Sequence, residues 1–401
     1  MMSSCQKLIS AFLVVCIVAA TAFAVGFGIG HYVLPYPIWP SSANDDELQE
    51  QFGIFWQAWD LVQDRFYTEE PLNTQQLTYG AVRGMVESLG DRHTVFLTPD
   101  QADLFRDDLE GEFGGIGVTV AMTEEGWLRV VKPIPDSPGE RAGLRTGDVI
   151  LEVDGVWTQG LDLVQAISLI RGPEGTEVRL IVRSPDGSEW EAAIVRAQIE
   201  VPTTESRMLD QGIAYLAVYD CNALAPRGVR EGLEDLLKSN PLGLILDLRG
   251  NPGGYLHVAK EVADEFIDEG LLLIERDSSG RETLHRASRG GRATAIPLAV
   301  LVDAGSASAA EIIAGAIQDN GRGVLVGTTT FGKGSVQVTE RLSDGSALQV
   351  TIRRWYTPSD RLIEGQGLVP ELEVNISEDD ILAGRDPQLD RAVTYLLSQS
   401  V

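Results

Sequence analysis

Apolar residues along this chain change their period several times, and each change marks an element. Residues 8–30 form an uncharged run of 23, long enough to cross a bilayer as a helix. Across 46–106 the period is helical. Phe52, Phe55, Trp56, Trp59 and Val62 recur at spacings of three and four, which predicts an aromatic face for a core or an interface. Residues 77–89 repeat the pattern, and Gly90-Asp91-Arg92-His93 ends it. Between 107 and 196 the apolar stretches are short. Gly114-Gly115-Ile116-Gly117-Val118 opens a strand, and 161–170 predicts a helix with Leu161, Val164, Ile167, Leu169 and Ile170 on its apolar side.

Beyond residue 197 strands and helices alternate. Buried strands are predicted at 212–219, 242–248, 298–302 and 324–326, and helices at 225–239, at 255–267 and after residue 308. Such repeats predict right-handed crossovers on a largely parallel sheet. A further strand is predicted at 347–356. The helix at 387–397 closes the chain, with Asp386 as its N-cap and Pro387 at its first position.

Charge and composition narrow the function. At 401 residues the chain holds several domains, and its net charge of −27 excludes nucleic acid as a partner, since phosphate binding needs clustered Lys and Arg. Cys5 and Cys16 fall in or before the first apolar run, so Cys221 stands alone and no disulfide framework forms. With four histidines and no HExxH or CxxC pattern, neither a metal nor an organic cofactor is expected. Arg249-Gly250-Asn251-Pro252-Gly253-Gly254 lacks the order of a phosphate-binding loop. Lys7 precedes the apolar run and acidic residues at 45–50 follow it, which leaves the N-terminus in the cytoplasm and the bulk outside. The alternative is a cleaved signal peptide and a secreted protein, with Ala20-Thr21-Ala22 or Ala22-Phe23-Ala24 as the cleavage site.

The chemistry lies in 297–337. A serine-rich turn between the strand 298–302 and the following helix puts hydroxyls at a helix N-terminus, where free N–H groups and the dipole favour an oxyanion. Ser306 and Ser308 both lie in that turn, and sequence physics does not choose between them. Lys333, between two glycines in a segment otherwise free of charge, is suited to act as a general base once burial lowers its pKa. If the segment is extended, Lys333, Ser335 and Gln337 share a face, and Gln337 can orient the amine. Loops at the C-terminal ends of parallel strands converge, so the backbone N–H of Gly253 or Gly254 joins that of Ala309 at the oxyanion. Taken alone, a serine-capped helix or a Gly-Lys-Gly turn is a structural feature. Their joint occurrence points to catalysis.

The motif Gly305-Ser306-Ala307-Ser308-Ala309-Ala310-Glu311-Ile312, followed by Phe331-Gly332-Lys333-Gly334-Ser335-Val336-Gln337 with Lys333 25 residues after Ser308, resembles the carboxy-terminal processing peptidases of family S41. This resemblance implies Ser308 as nucleophile, Lys333 as general base and Gln337 as its support. Ala310 stands where the family often has a third serine. Residues 137–155 and the Gly114–Val118 motif resemble a PDZ domain, implying that Gly115, Ile116, Gly117 and Val118 hold a substrate's C-terminal tail. Arg171 matches a position that relays from PDZ domain to catalytic site in some relatives. His93 reads as a structural hydrogen-bonder.

The resulting organisation is α/β and multidomain: a cytoplasmic stretch at 1–7, an anchor or signal at 8–30 and a linker at 31–45. A helical region at 46–106, a PDZ domain at 107–196 and a Ser/Lys peptidase core at 197–401, of the ClpP/crotonase-like kind, complete it. The resemblance implies as substrates proteins or peptides with uncharged, apolar C-termini, cut through an acyl-enzyme. The resemblance also implies a homodimer, and an activating partner is left open. The alternative is a tail-binding adaptor or chaperone with an inactive core. A chymotrypsin-like protease is excluded, because the serine lacks a GDSGG-like setting and the PDZ region precedes the core.

Overall fold

The computed structural model describes residues 45–399, with side chains from Leu48 onward. The stretch 1–7, the apolar run 8–30 and nearly all of the linker 31–45 lie outside the described residues. Among the described residues no helix is long and apolar enough to cross a membrane. The chain divides into two units after Gln75. The first contains the helix Asp45–Arg65, whose Phe55 ring lies 5.0 Å from Trp56 and 5.9 Å from Trp59. Phe52 and Trp56 stay about half exposed, so its own unit does not close the aromatic face.

In the second unit, alternation and continuous burial separate two kinds of sheet. Ile213–Val218, Gly243–Asp247 and Leu298–Val302 are buried at every position, because parallel strands covered on both faces need apolar residues throughout. The sheet runs Thr204–Met208, Ile213–Val218, Gly243–Asp247, Leu298–Val302, Val324–Gly327, Leu372–Glu373, and every pair after the antiparallel first one is parallel. Helices Ala225–Leu237, Leu256–Asp264 and Ala309–Asp319 bury their apolar faces in one core with this sheet, and Pro387–Gln399 packs into another. A second sheet, antiparallel throughout, joins Val95–Leu97, Ala347–Tyr356, Leu271–Asp277 and Glu282–Arg286, with Ser335–Arg341 also paired to Ala347–Tyr356. The largely parallel sheet is therefore half of the core's architecture. The antiparallel half carries mostly exposed, polar strands such as Glu282–Arg286, which offer no apolar run to read.

The middle domain is an antiparallel sheet in the order Val118–Met122, Leu128–Pro133, Val149–Val153, Glu177–Arg183, Glu189–Val195. Its own core gathers Leu128, Val130, Ile150, Val178, Leu180 and Val182 with Ala166 and Ile170 of the helix Leu163–Ile170. Asp162 caps that helix and exchanges hydrogen bonds with Gln165, a reciprocal box that fixes where it starts. Two strands, Glu112–Gly115 and Ala197–Glu200, enter and leave the domain side by side. The helix Pro99–Glu110 runs across the expected boundary at 106–107, and this ribbon spans the one at 196–197.

Arg196, only 8% exposed, closes the ribbon's end. It donates to the carbonyls of Leu169, Ile170 and Glu177 and to Thr176 Oγ1, all at 2.8–3.1 Å, and so satisfies the last carbonyls of the helix. Arg196→Met is expected to destabilise the middle domain by about 2–4 kcal/mol, because buried acceptors lose a charged donor. Chemical denaturation followed by Trp127 and Trp190 fluorescence checks this.

Candidate active site

Strand ends of the parallel sheet and the start of Ser335–Arg341 converge on a cleft of about 660 Å³. Its walls include Ser308, Gly253, Gly254, Lys333 and Gln337, with Phe105, Asp108 and Leu109 from the helix Pro99–Glu110. The sequence-derived nucleophile, base, supporting glutamine and oxyanion residues thus meet in one cavity.

The structure separates the two serines. Ser306 is fully buried, donates to the Leu248 carbonyl at 2.8 Å and accepts the Asp303 N–H at 3.0 Å, so its hydroxyl ties two strand ends together. Ser308 lines the cleft and sits at φ 52°, ψ −113° at the N-cap of Ala309–Asp319. A non-glycine residue held there stores strain on the order of 1–3 kcal/mol and needs surroundings that over-determine it.

Those surroundings centre on Glu311, which the sequence reading passed over. Glu311 is completely buried. Its carboxylate accepts from the backbone N–H of Ser308 and of Lys333, both at 2.9 Å, from Gly332 N–H at 2.7 Å and from the Thr330 hydroxyl. Burial pushes its pKa up, against these four donors, which favour the charged form. The signal available was a charge in the first turn of an Ala/Ile-rich helix three residues after a serine, the spacing of a capping box.

Lys333 is half-buried, and burial pulls its pKa down. The charges of Glu364, Asp91 and Glu311 push the other way. The lysine stands in an uncharged sequence segment, but the charges of three carboxylates from other segments act on it. Trp355 Nε1 donates to the Lys333 carbonyl at 3.0 Å and fixes the loop. Among the described residues, no hydrogen bond joins the Lys333 amine to Ser308 or Gln337. Gln337 donates through Nε2 to Ser335 Oγ at 2.8 Å and to Thr351 Oγ1 at 3.2 Å, so Ser335 and Gln337 do share a face.

The turn 249–254 is held by Arg249, which pairs with Asp247 at 2.7 Å and Asp386 at 2.9 Å, and by buried Asn251. Asn251 Oδ1 accepts the Gly253 N–H at 2.9 Å, while Gly254 N–H has no acceptor among the described residues. A side chain at Gly253 would lie 2.7 Å from Ser308 Cβ, and one at Gly254 2.3 Å from the Cys221 carbonyl oxygen. Both positions have left-handed φ, so glycine is required at each.

The tail-loop residues lie elsewhere. Ile116 is buried, its carbonyl accepts from Gly139 at 2.7 Å, and the Gly117 carbonyl accepts from Ile134 at 2.9 Å. Gly115 pairs with Ala197 in the ribbon, and Val118 begins a strand with a single neighbour in its sheet. Arg171 follows the helix Leu163–Ile170. It contacts Asp107 at 3.2 Å and Asp108 at 3.3 Å and lies 3.9 Å over the Phe113 ring, linking the middle domain to the helix that walls the cleft. Among the described residues there is no cluster of potential metal ligands.

Comparison with known proteins gives a match to peptidase family S41 over residues 212–374 and to a PDZ domain over 129–184. The chain is 32% identical over 340 residues to the carboxy-terminal processing protease CtpA of Bacillus subtilis, covering 84% of this chain and 71% of the relative. It is 35% identical over 363 residues to the carboxyl-terminal-processing protease of a Synechocystis species, covering 88% and 84%. It shares its fold with the solved structure of an S41 protease from Bacteroides fragilis, at 18% identity and a TM-score of 0.52, covering 90% of this chain and 99% of that one.

Glu311→Gln keeps the shape but faces four donors with an amide that itself donates. It is expected to cost about 2–4 kcal/mol in unfolding free energy, and Ser308→Gly, which relieves backbone strain, to gain up to about 1 kcal/mol. Urea denaturation of the two variants beside the wild type measures both.

Proposed function

The chain belongs to peptidase family S41, among the carboxy-terminal processing peptidases with a PDZ domain, and from that premise we propose that Ser308 and Lys333 are its nucleophile and general base. The observation that carries this reading is the single cleft lined by Ser308, Lys333, Gln337, Gly253 and Gly254, with Ser306 buried out of reach. Ser308 Oγ attacks the scissile carbonyl as the Lys333 amine takes its proton, and the same amine returns the proton to the leaving amine. Water then attacks the acyl-enzyme with Lys333 again as base. Ala309 N–H at the helix start and the unengaged Gly254 N–H stabilise the oxyanion. Gln337 has both amide hydrogens placed on Ser335 and Thr351, which leaves its carbonyl oxygen to accept from the Lys333 ammonium.

Substrate tails with uncharged, apolar C-termini add as a strand beside Val118–Met122, an edge strand suited to that mode, with the terminal carboxylate at Gly115–Val118. The amine without a hydrogen bond to Ser308 represents a resting arrangement, and tail capture is relayed through Arg171 to the helix Pro99–Glu110. Residues 8–30 anchor the protein and leave its catalytic part outside the cytoplasm; cleavage of that segment would instead release it. A homodimer and an activating partner fit the same reading.

In cleavage assays on an unfolded protein with an apolar C-terminus, Ser308→Ala and Lys333→Ala are expected to lose at least about 10³-fold in kcat/KM, while Ser306→Ala keeps measurable cleavage. Amidating the substrate's C-terminus is expected to weaken cleavage. Arg171→Ala should lower kcat while tail binding persists. Tail binding without any cleavage by the wild type would favour the adaptor reading, and cleavage by Ser308→Ala would overturn the nucleophile.

A further inference from the structure

Residues 91–97 lie outside both matched regions, yet the fold sets them against the base. Val95–Leu97 pairs antiparallel with Ala347–Tyr356, and Thr351 N–H donates to Thr94 Oγ1 at 3.1 Å. Asp91 accepts from Thr94 Oγ1 at 2.6 Å and from the His93 N–H at 3.1 Å. Although burial opposes its charge, hydrogen bonds from Thr351, Thr94 and His93 hold its pKa down to about 2. The segment is therefore fixed, and it presents the His93 ring to the loop after Ile363.

In that loop Glu364 faces two ways. One carboxylate oxygen accepts the Gly334 N–H at 2.9 Å, directly after Lys333, and the Gly365 N–H donates to the Gly332 carbonyl at 2.9 Å. The other oxygen lies 3.6 Å from His93 Nε2, and the two side chains are only 20% and 12% exposed. Arg92 Nε donates to the same His93 nitrogen at 3.3 Å, which makes that nitrogen an acceptor and the ring neutral. Burial and the positive charge of Lys333, with that of Arg92, pull the His93 pKa down, while Glu364 and Asp91 oppose this.

Resting on the reading of Lys333 as base, we propose that Glu364 is a positioning residue for Lys333. Its carboxylate, bonded to the Gly334 N–H, pins the backbone directly after Lys333 and sets a negative charge behind the amine, which neutral His93 leaves uncompensated. The negative charges of Asp91 and Glu311, from two other segments, add to that of Glu364 in favouring the charged amine. When His93 gains a proton, its positive charge offsets the negative charge of Glu364 and pulls the Lys333 pKa further down. The pH at which the base takes up its proton is thus tuned by the Glu364 charge and by the His93 ring behind it.

Glu364→Gln keeps an acceptor for Gly334 and removes only the charge. The Lys333 ammonium then loses a stabilising anion, so the limb of kcat/KM that rises with pH is expected to move to lower pH. Glu364→Asp, which keeps the charge, should hold that limb closer to the wild type. The His93 titration followed by NMR supplies a readout independent of turnover: its midpoint is expected to rise in Lys333→Met and to fall in Glu364→Gln. A limb that stays or moves to higher pH in Glu364→Gln overturns the proposal, as does a His93 titration indifferent to Lys333→Met. Failure of the base assignment would be seen separately, as cleavage retained by Lys333→Met.

Discussion

One buried carboxylate determines whether the cleft exists. Glu311 gathers the backbone of the serine turn and the backbone of the lysine loop onto a single side chain, using donors that are separated by up to 25 residues of sequence. Four donors match the lone-pair capacity of a carboxylate, so the charge is satisfied only while both loops are in place. A buried charge left partly unpaired is costly, which makes the two loops cooperative: neither relaxes without unbalancing the other. The strained backbone of Ser308 persists because this grip allows it no alternative.

Sheet chemistry supplies the rest of the geometry. Fully buried parallel strands deliver the turns at 249–254 and 303–308 to the same end of the sheet, where the Ala307 N–H donates to the Asn251 carbonyl. Gly253 lets the turns approach more closely than any side chain would allow. The antiparallel sheet then brings Ser335 and Gln337 in from the other side. The cleft therefore forms where two differently built sheets abut, with the helix Pro99–Glu110 as its third wall.

Much of this was legible in the sequence, for local reasons. The apolar runs at 212–219, 242–248 and 298–302 announce buried strands, and the serine-rich turn before an Ala/Ile helix announces an N-terminal site. What stayed hidden was non-local. Glu311, Glu364 and Asp91 are unremarkable acids until folding brings their charges to bear on Lys333, and no period along the chain encodes that meeting. The hydrogen bonds that set Ser306 apart from Ser308, and Gly253 from Gly254, run to partners such as Leu248 and Asn251 that no local pattern points to. Glu282–Arg286 carries no such signal, because a largely exposed strand with a single apolar residue looks like a loop.

The ribbon of Glu112–Gly115 and Ala197–Glu200 has a consequence for how this protein could have been assembled. Glu112 and Glu200 are directly paired, so everything between them hangs from two points about 5 Å apart. A peptidase core interrupted there can accept or lose a whole domain without its own chain having to stretch. Such a seam behaves like a socket: different reading heads can be plugged into one cutting machine during evolution, while the strands that build the cleft keep their register.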